Sequence, residues 1–352
     1  MPNNQISYSS SINEALKFSM KKDKNMICYG LGVTDPKEIF STTRDLKNIF
    51  GSKRVFDVPT SENALTGISI GAALNNVRSV VSHQRLDFFL LAMDQLVNSA
   101  AKWHYMFGSK VSVPITIRLI IGRGWGQGPT HSQNLQSWFN HIPGLKVVMP
   151  TFANDARDVL ISSIFDPNPV LFLEHRWLHE NKDKKKKIKK LKLIKSKICI
   201  KGTDITIVGT SYLTIESIRA AKFLKKYYNI TAEVIDLISI KPLDLNTIIK
   251  SVRKTKNLIV ADTGFYTGSI ASDIIYEVMN YNKNITKSHP KKIAMPDVPE
   301  PTSYGLTKNF YVRANKIVDE VLKILRIKKK KNLFINEPFP HDVPGDWFRG
   351  PF

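Results

Sequence analysis

Short runs of Val, Ile and Leu recur along this chain, each ending in a glycine, a proline or a polar break and followed by a helix-length stretch. MICYGLGV (26–33), VFDVP (55–59), VRSVVSH (77–83), PITIRLII (114–121), LKVVMP (145–150) and PVLFLEH (169–175) are of this kind. Runs this apolar suit strands buried on both faces. Strands alternating with helices predict a mostly parallel sheet wrapped by helices. Between the runs, the spacing predicts helices over residues 11–20, with Ile12, Ala15, Leu16 and Phe18 as buried positions, and from Glu62 onward. Further helices are expected over 87–106, whose apolar face is Phe89, Met93, Leu96 and Ala100, over 132–139, and around 154–165.

Composition then shifts. Eleven lysines crowd the stretch from Lys182 to Lys201, with little periodic apolar signal, so residues 179–203 are expected to be a linker. A second α/β unit follows, with strands DITIVGT (204–210), TAEVIDLI (231–238) and NLIVADTG (257–264) and a closing helix near 319–327. The expected fold class is therefore α/β with two doubly wound domains, residues 1–178 and a smaller one over 204–327. Residues 328–352 open on four lysines and continue as NLFINEPFPHDVPGDWFRGPF, an irregular arm that needs a surface to dock on.

The formal charge of +22 invites an anionic partner, yet no aromatic residues interleave with the first lysine cluster. Such a cluster offers no base-stacking platform, so a solvated linker is the expectation and nucleic-acid binding is not. No apolar run approaches the ~18 residues that span a bilayer, and the first residues carry no export pattern. Cys28 and Cys199 sit in apolar runs and read as buried thiols, which suits the cytoplasm.

Metal-hydrolysis and triad motifs are missing: there is no CxxC pair and no HExxH. The loop GRGWGQG (122–128) carries an Arg and a Trp that are unusual in a phosphate cradle, and reads better as a turn lining a site. In parallel sheets ligands gather at the carboxyl ends of strands. Glu62 follows VFDVP, the aromatics near Phe88 follow VRSVVSH, and His131 follows PITIRLII. Taken alone, Glu62 is either a first-turn helix glutamate or an active carboxylate. His131 is either a polar residue at a helix start or a reacting group.

The ordered motifs VFDVPTSENALTGISIGAA (55–73), MDQLVNSAAKWHYM (93–106), PITIR, THSQ and PGLKVVMP resemble the β subunit of thiamine-diphosphate-dependent 2-oxoacid dehydrogenases. The likeness runs on through KPLDLNTIIKSVRKTKNLIVADTG (241–264). It implies a pyrimidine-binding transketolase-like domain followed by a transketolase-type C-terminal domain. Glu62 matches the glutamate that hydrogen-bonds the cofactor's pyrimidine and favours the tautomer able to take the thiazolium proton. Phe88 matches an aromatic packed on that pyrimidine, with Gln84 beside it. His131 matches a histidine facing thiazolium and substrate, expected at a helix N-terminus that keeps its imidazole neutral. Gly67 and Gly71 match a glycine pair at a subunit interface, with close packing inside one chain as the other reading. Ile115, Ser163, Ile164, Asp166 and Asn168 match a site for a monovalent cation, commonly potassium; a plain Asp-Pro-Asn turn is the alternative.

The chain lacks the GDG motif by which the family's α chain holds diphosphate and Mg²⁺. The resemblance thus implies an α₂β₂ assembly, a 2-oxo acid substrate and transfer to the lipoyl arm of an acyltransferase. HQRLDFF (83–89) departs from the family pattern, Gln84 and Arg85 bringing polarity and charge toward the site. That keeps open a transketolase-like carboligase acting on a sugar or another specialised 2-oxo substrate. A non-catalytic basic binding protein is the alternative of another class.

Overall fold

The computed structural model describes residues 4–124, 126–189 and 193–348. Trp125 of the glycine-rich loop, Lys190 and Lys192 of the lysine cluster and the arm's last four residues lie outside the described residues. The strands are β1 (Gln5–Ser7), β2 (Ile27–Gly30), β3 (Val55–Asp57), β4 (Ser79–His83), β5 (Ile115–Ile121), β6 (Lys146–Val148) and β7 (Val170–His175). They continue as β8 (Lys182–Lys184), β9 (Lys197–Ile200), β10 (Ile205–Gly209), β11 (Ala232–Asp236), β12 (Ser239–Lys241), β13 (Leu258–Phe265) and β14 (Lys291–Met295).

A seven-stranded sheet runs in the order β12-β6-β7-β5-β4-β2-β3, and a five-stranded one in the order β14-β13-β10-β11-β9. Both are parallel except at one edge each, where β12 and β9 pair antiparallel. The central strands are buried along their whole length, β4 and β5 without exception, as their unbroken apolar runs require. Helices Tyr8–Lys22 and Ala153–Ile164 pack together on one face, and Glu62–Leu74 covers the other edge through Leu65, Ile70 and Ala73. No helix among the described residues is long and apolar enough to cross a membrane.

Three sequence expectations change. The lysine-rich stretch is no passive connector: β8 pairs with β1, and β9 forms an edge of the second sheet. The two units also interlock, because β12, from the middle of the second, pairs with β6 of the first. The long helix expected over 87–106 breaks into short turns, Leu86–Phe89, Leu90–Ala92 and Trp103–Met106, around a π turn at Gln95–Ala100. The wider π turn lets Leu96, Ala100 and Ala101 all reach the core, which a regular α spacing would not do.

Candidate active site

The order β3-β2-β4-β5 sets four strand exits along one edge, about 14 Å from first to last at the usual strand spacing, with β2 between the exits of β3 and β4. Glu62 stands after β3 as the first residue of the helix Glu62–Leu74. Tyr29 on β2 seats that helix: its hydroxyl donates to Leu65 O at 2.7 Å, and its ring stacks on Phe56. Glu62 is only 5% exposed, yet among the described residues its carboxylate receives no hydrogen bond and no ion pair. Burying most of a carboxylate's surface costs hydration, although neither Glu62 oxygen is fully closed off from solvent. Its position at a helix start offsets part of that cost, and a hydrogen-bond donor from outside would offset more.

Phe88 and His131 meet at the next two exits, rings edge to face with centroids 5.3 Å apart. Asp87 brings them together, accepting from Gln133 Nε2 at 2.9 Å and from the Gln133 backbone N–H at 3.3 Å. Both rings are exposed, and Thr130 Oγ1 lies 3.0 Å from His131 Nδ1. The helix expected from residue 132 begins only at Gln136 and is five residues long. His131 thus sits in a turn beyond the reach of a helix dipole, and the expectation that a helix end keeps it neutral lacks its geometry. The charge expected from Arg85 is also absent from the open side. Arg85 is buried, donates to Gly122 O at 2.8 Å and bonds Gln127, and burial pushes its guanidinium down to about 10. The Gln84 amide covers Gly32 at the exit of β2. Next to it His83 is buried without a polar partner, which pushes its imidazole down to about 3 and keeps it neutral.

The glycine-rich loop is held from the second domain. Arg123, buried, donates to Pro301 O at 3.0 Å and Thr302 O at 3.3 Å, and pairs with Asp342 at 3.2 Å. At Gly128 a Cβ would stand 2.1 Å from Thr302 Oγ1, so a side chain there would push the Thr302 hydroxyl aside. Below His131 the side chain of Glu300 accepts from Asn134 Nδ2 at 3.3 Å, and burial pushes its carboxyl up to about 8. None of Glu300, Arg123 and Asp342 was singled out from sequence. They lie 166 to 219 residues from their partners, and no local pattern marks such pairs.

The helix face bearing Gly67 and Gly71 is covered only in part, at Gly67, by the π turn Gln95–Ala100. Nothing lies within 4 Å of the place a Gly71 Cβ would take, and Gly67 faces only the Gln95 side chain. Ile68 is 57% and Leu91 69% exposed nearby, so the Gly71 side of this helix is open in the single chain, while Gly67 packs against Gln95.

At the opposite end of the sheet, the expected cation site already holds protein cations. Arg78 Nη1 donates to Ile164 O at 2.6 Å and Asp166 O at 3.1 Å, while Lys146 Nζ bonds both Asp166 carboxylate oxygens at 2.7 and 2.6 Å. Ser163 O accepts from the Asp166 N–H, and Asn168 N–H donates to Asp166 Oδ1. Ile115 lies within β5, its backbone paired with Ser79 of β4. Arg78 therefore donates to Ile164 O, one of the carbonyls expected to hold a monovalent cation.

A cavity of about 1310 Å³ runs along β14 and includes none of Glu62, Phe88 or His131. Phe88 and His131 stand exposed side by side, and Glu62 lies little exposed after β3, two strands along from β4. Two family models match the chain: the transketolase pyrimidine-binding domain over residues 4–181 and the transketolase C-terminal domain over 195–317. The chain is 36% identical over 322 residues to the mitochondrial pyruvate dehydrogenase E1 component subunit beta of Chaetomium thermophilum, covering 90% of this chain and 84% of that protein. It is 35% identical to the corresponding subunit of Rickettsia bellii, over 92% of this chain and 100% of the relative. A solved structure described as a split-gene transketolase, inactive beta4 tetramer, superposes with a TM-score of 0.75 at 20% identity, over 92% of this chain and 99% of that one.

Proposed function

The chain belongs to the transketolase-like family of thiamine-diphosphate enzymes, among pyruvate dehydrogenase E1 β subunits, and on that premise we propose that it is the β half of a 2-oxo acid dehydrogenase. The assembly decarboxylates a 2-oxo acid and passes the acyl group to a lipoyl arm of an acyltransferase. The little-exposed carboxylate of Glu62 after β3, with no hydrogen bond or ion pair among the described residues, together with the exposed ring pair Phe88 and His131 after β4 and β5, is the observation that carries this reading.

Thiamine diphosphate, when bound, supplies a nucleophilic carbon and an electron sink for the loss of CO₂. Glu62 fits the pyrimidine end, because its partnerless carboxylate can accept a hydrogen bond from a ring nitrogen in a site of low polarity. Phe88 offers a flat apolar surface braced edge-on by His131. With Nδ1 beside Thr130, His131 has Nε2 to exchange a proton with substrate. Gln84 keeps a supporting part, covering Gly32 near the cofactor. The α chain brings the diphosphate and Mg²⁺ ligands and seats on the Gly67–Gly71 face, giving α₂β₂. The proposed compartment is the cytoplasm, in keeping with two free cysteines. The carboligase reading rested on polarity at Gln84 and Arg85, and Arg85 is spent inside the chain on Gly122 and Gln127.

The test is Glu62→Gln in a heteromer reconstituted with an α chain carrying GDG. Cofactor-dependent decarboxylation is expected to fall at least about 100-fold, on the scale of a lost acid–base function. Activity near wild type would remove Glu62 from this role.

A further inference from the structure

The C-terminal arm folds onto its own chain and crosses from the second domain to the first. Asn315 receives it, its side chain bonding both Ile335 O and Ile335 N–H at 2.9 and 2.8 Å. Glu337 bonds Arg219 and Arg313, and the Phe339 ring lies against both guanidinium groups at 5.7 and 5.1 Å. His341 stacks on Tyr304, and Arg313 donates to Val343 O and Pro344 O. The end reaches the first domain, where Trp347 Nε1 donates to Trp177 O at 2.8 Å and Phe348 lies over Arg176.

Asp342 sits midway, and its contact differs in kind. It enters a buried site and meets Arg123 of the glycine-rich loop, with side-chain exposures of 4% and 1%. Arg123 has no other carboxylate partner among the described residues; its remaining acceptors are the carbonyls of Pro301 and Thr302 and the Tyr311 hydroxyl. A buried guanidinium that loses its ion-pair partner is strongly destabilised. The loop leads directly to Thr130 and His131.

We propose that the arm is a strap that positions the active-site loop, with Asp342 and Arg123 as its positioning residues. The arm docks on the second domain, Asp342 holds Arg123, and Arg123 fixes the described loop residues 122–124 and 126–131 and so the place of His131. Removing the Asp342 charge frees the loop without disturbing Glu62, which stands on a separate helix. The proposal rests on the assignment of this loop to the active site, but the link itself can be read without catalysis.

The experiment is hydrogen–deuterium exchange and steady-state kinetics on the full chain assembled with its α partner and thiamine diphosphate. In Asp342→Asn, amides of residues 122–131 are expected to exchange about tenfold faster, the scale of a lost charge-assisted hydrogen bond, while peptides of β10 and β13 keep their rates. The turnover number falls and cofactor affinity stays, because Glu62 is untouched; Asp342→Glu restores part of both loop protection and turnover. Trp347→Ala loosens the arm's far end alone and should leave the loop protected. Unchanged loop exchange in Asp342→Asn overturns the proposal, as does equal loosening by Trp347→Ala. If Asp342→Asn does not assemble, Arg123→Lys keeps the charge, loses the fork and reads the same link through the same peptide. A faster loop with full activity would leave the strap standing and remove His131 from the reaction.

Discussion

The two ends of the seven-stranded sheet differ in whether this chain completes them. At the end near Asp166, a helix terminus is finished internally, Arg78 and Lys146 meeting its carbonyls and carboxylate. At the end bearing Glu62, a buried carboxylate lacks a donor, two aromatic rings stand in solvent, and Gly71 faces open space. Residues of similar type are closed in one place and left open in the other. A carboxylate finished by its own chain holds structure together, whereas an unfinished one marks where a cofactor and a second chain must arrive.

The largest expected break in this contrast is Gly71→Leu. The added side chain fills the face reserved for the partner, and assembly with the α chain should weaken by at least about 100-fold, as overpacked interfaces lose several kcal/mol. The isolated chain should gain up to about 1 kcal/mol of stability, because leucine is the better helix former. Size-exclusion and thermal melts read the two effects separately, and loss of stability in the isolated chain would mean that the face is internally packed.

Glu300 sharpens the same contrast by pH. Its carboxyl is pushed up to about 8 by burial, against an ordinary value of 4.5. The unfolded chain releases this proton earlier than the folded one, so this group lowers stability as pH rises from about 4.5 to 8. Glu300→Gln removes that slope and should stabilise the chain by about 2 kcal/mol at alkaline pH, the scale of relieving one buried charge. Denaturant melts at several pH values check it, and an unchanged slope would show that Glu300 stays ionised. The smallest effect belongs to the closed end: Asp166→Asn should cost about 1 kcal/mol, as for a partly exposed ion pair. Exchanging sodium for potassium chloride should not move the melting temperature, and a potassium-specific rise would mean that an ion displaces Arg78.

Much of the scaffold was legible from local pattern. The runs PITIRLII and PVLFLEH became β5 and β7 because strands buried on both sides need unbroken apolar side chains. The arm's need for a surface was legible as well, from Pro, Phe and Gly without period. The surface itself was not, since Arg219, Arg313 and Arg123 are scattered over nearly two hundred residues. Lysine content hid β8 and β9, whose pairing comes from neighbouring edges and not from their own apolar character. The helix read over 87–106 failed because its periodicity slips by one residue at the π turn.

The sequence by itself determined the α/β class and the strand exits that Glu62, Phe88 and His131 follow, because these rest on short-range periodicity and on motifs in order. Tertiary structure decided which charges face the site and which are spent inside. Arg85, 37 and 42 residues before its partners Gly122 and Gln127, and Arg123, 178 to 219 residues before its own, turn inward because a buried guanidinium takes whatever acceptors the fold brings within reach. Glu62 stays open because the fold brings it none.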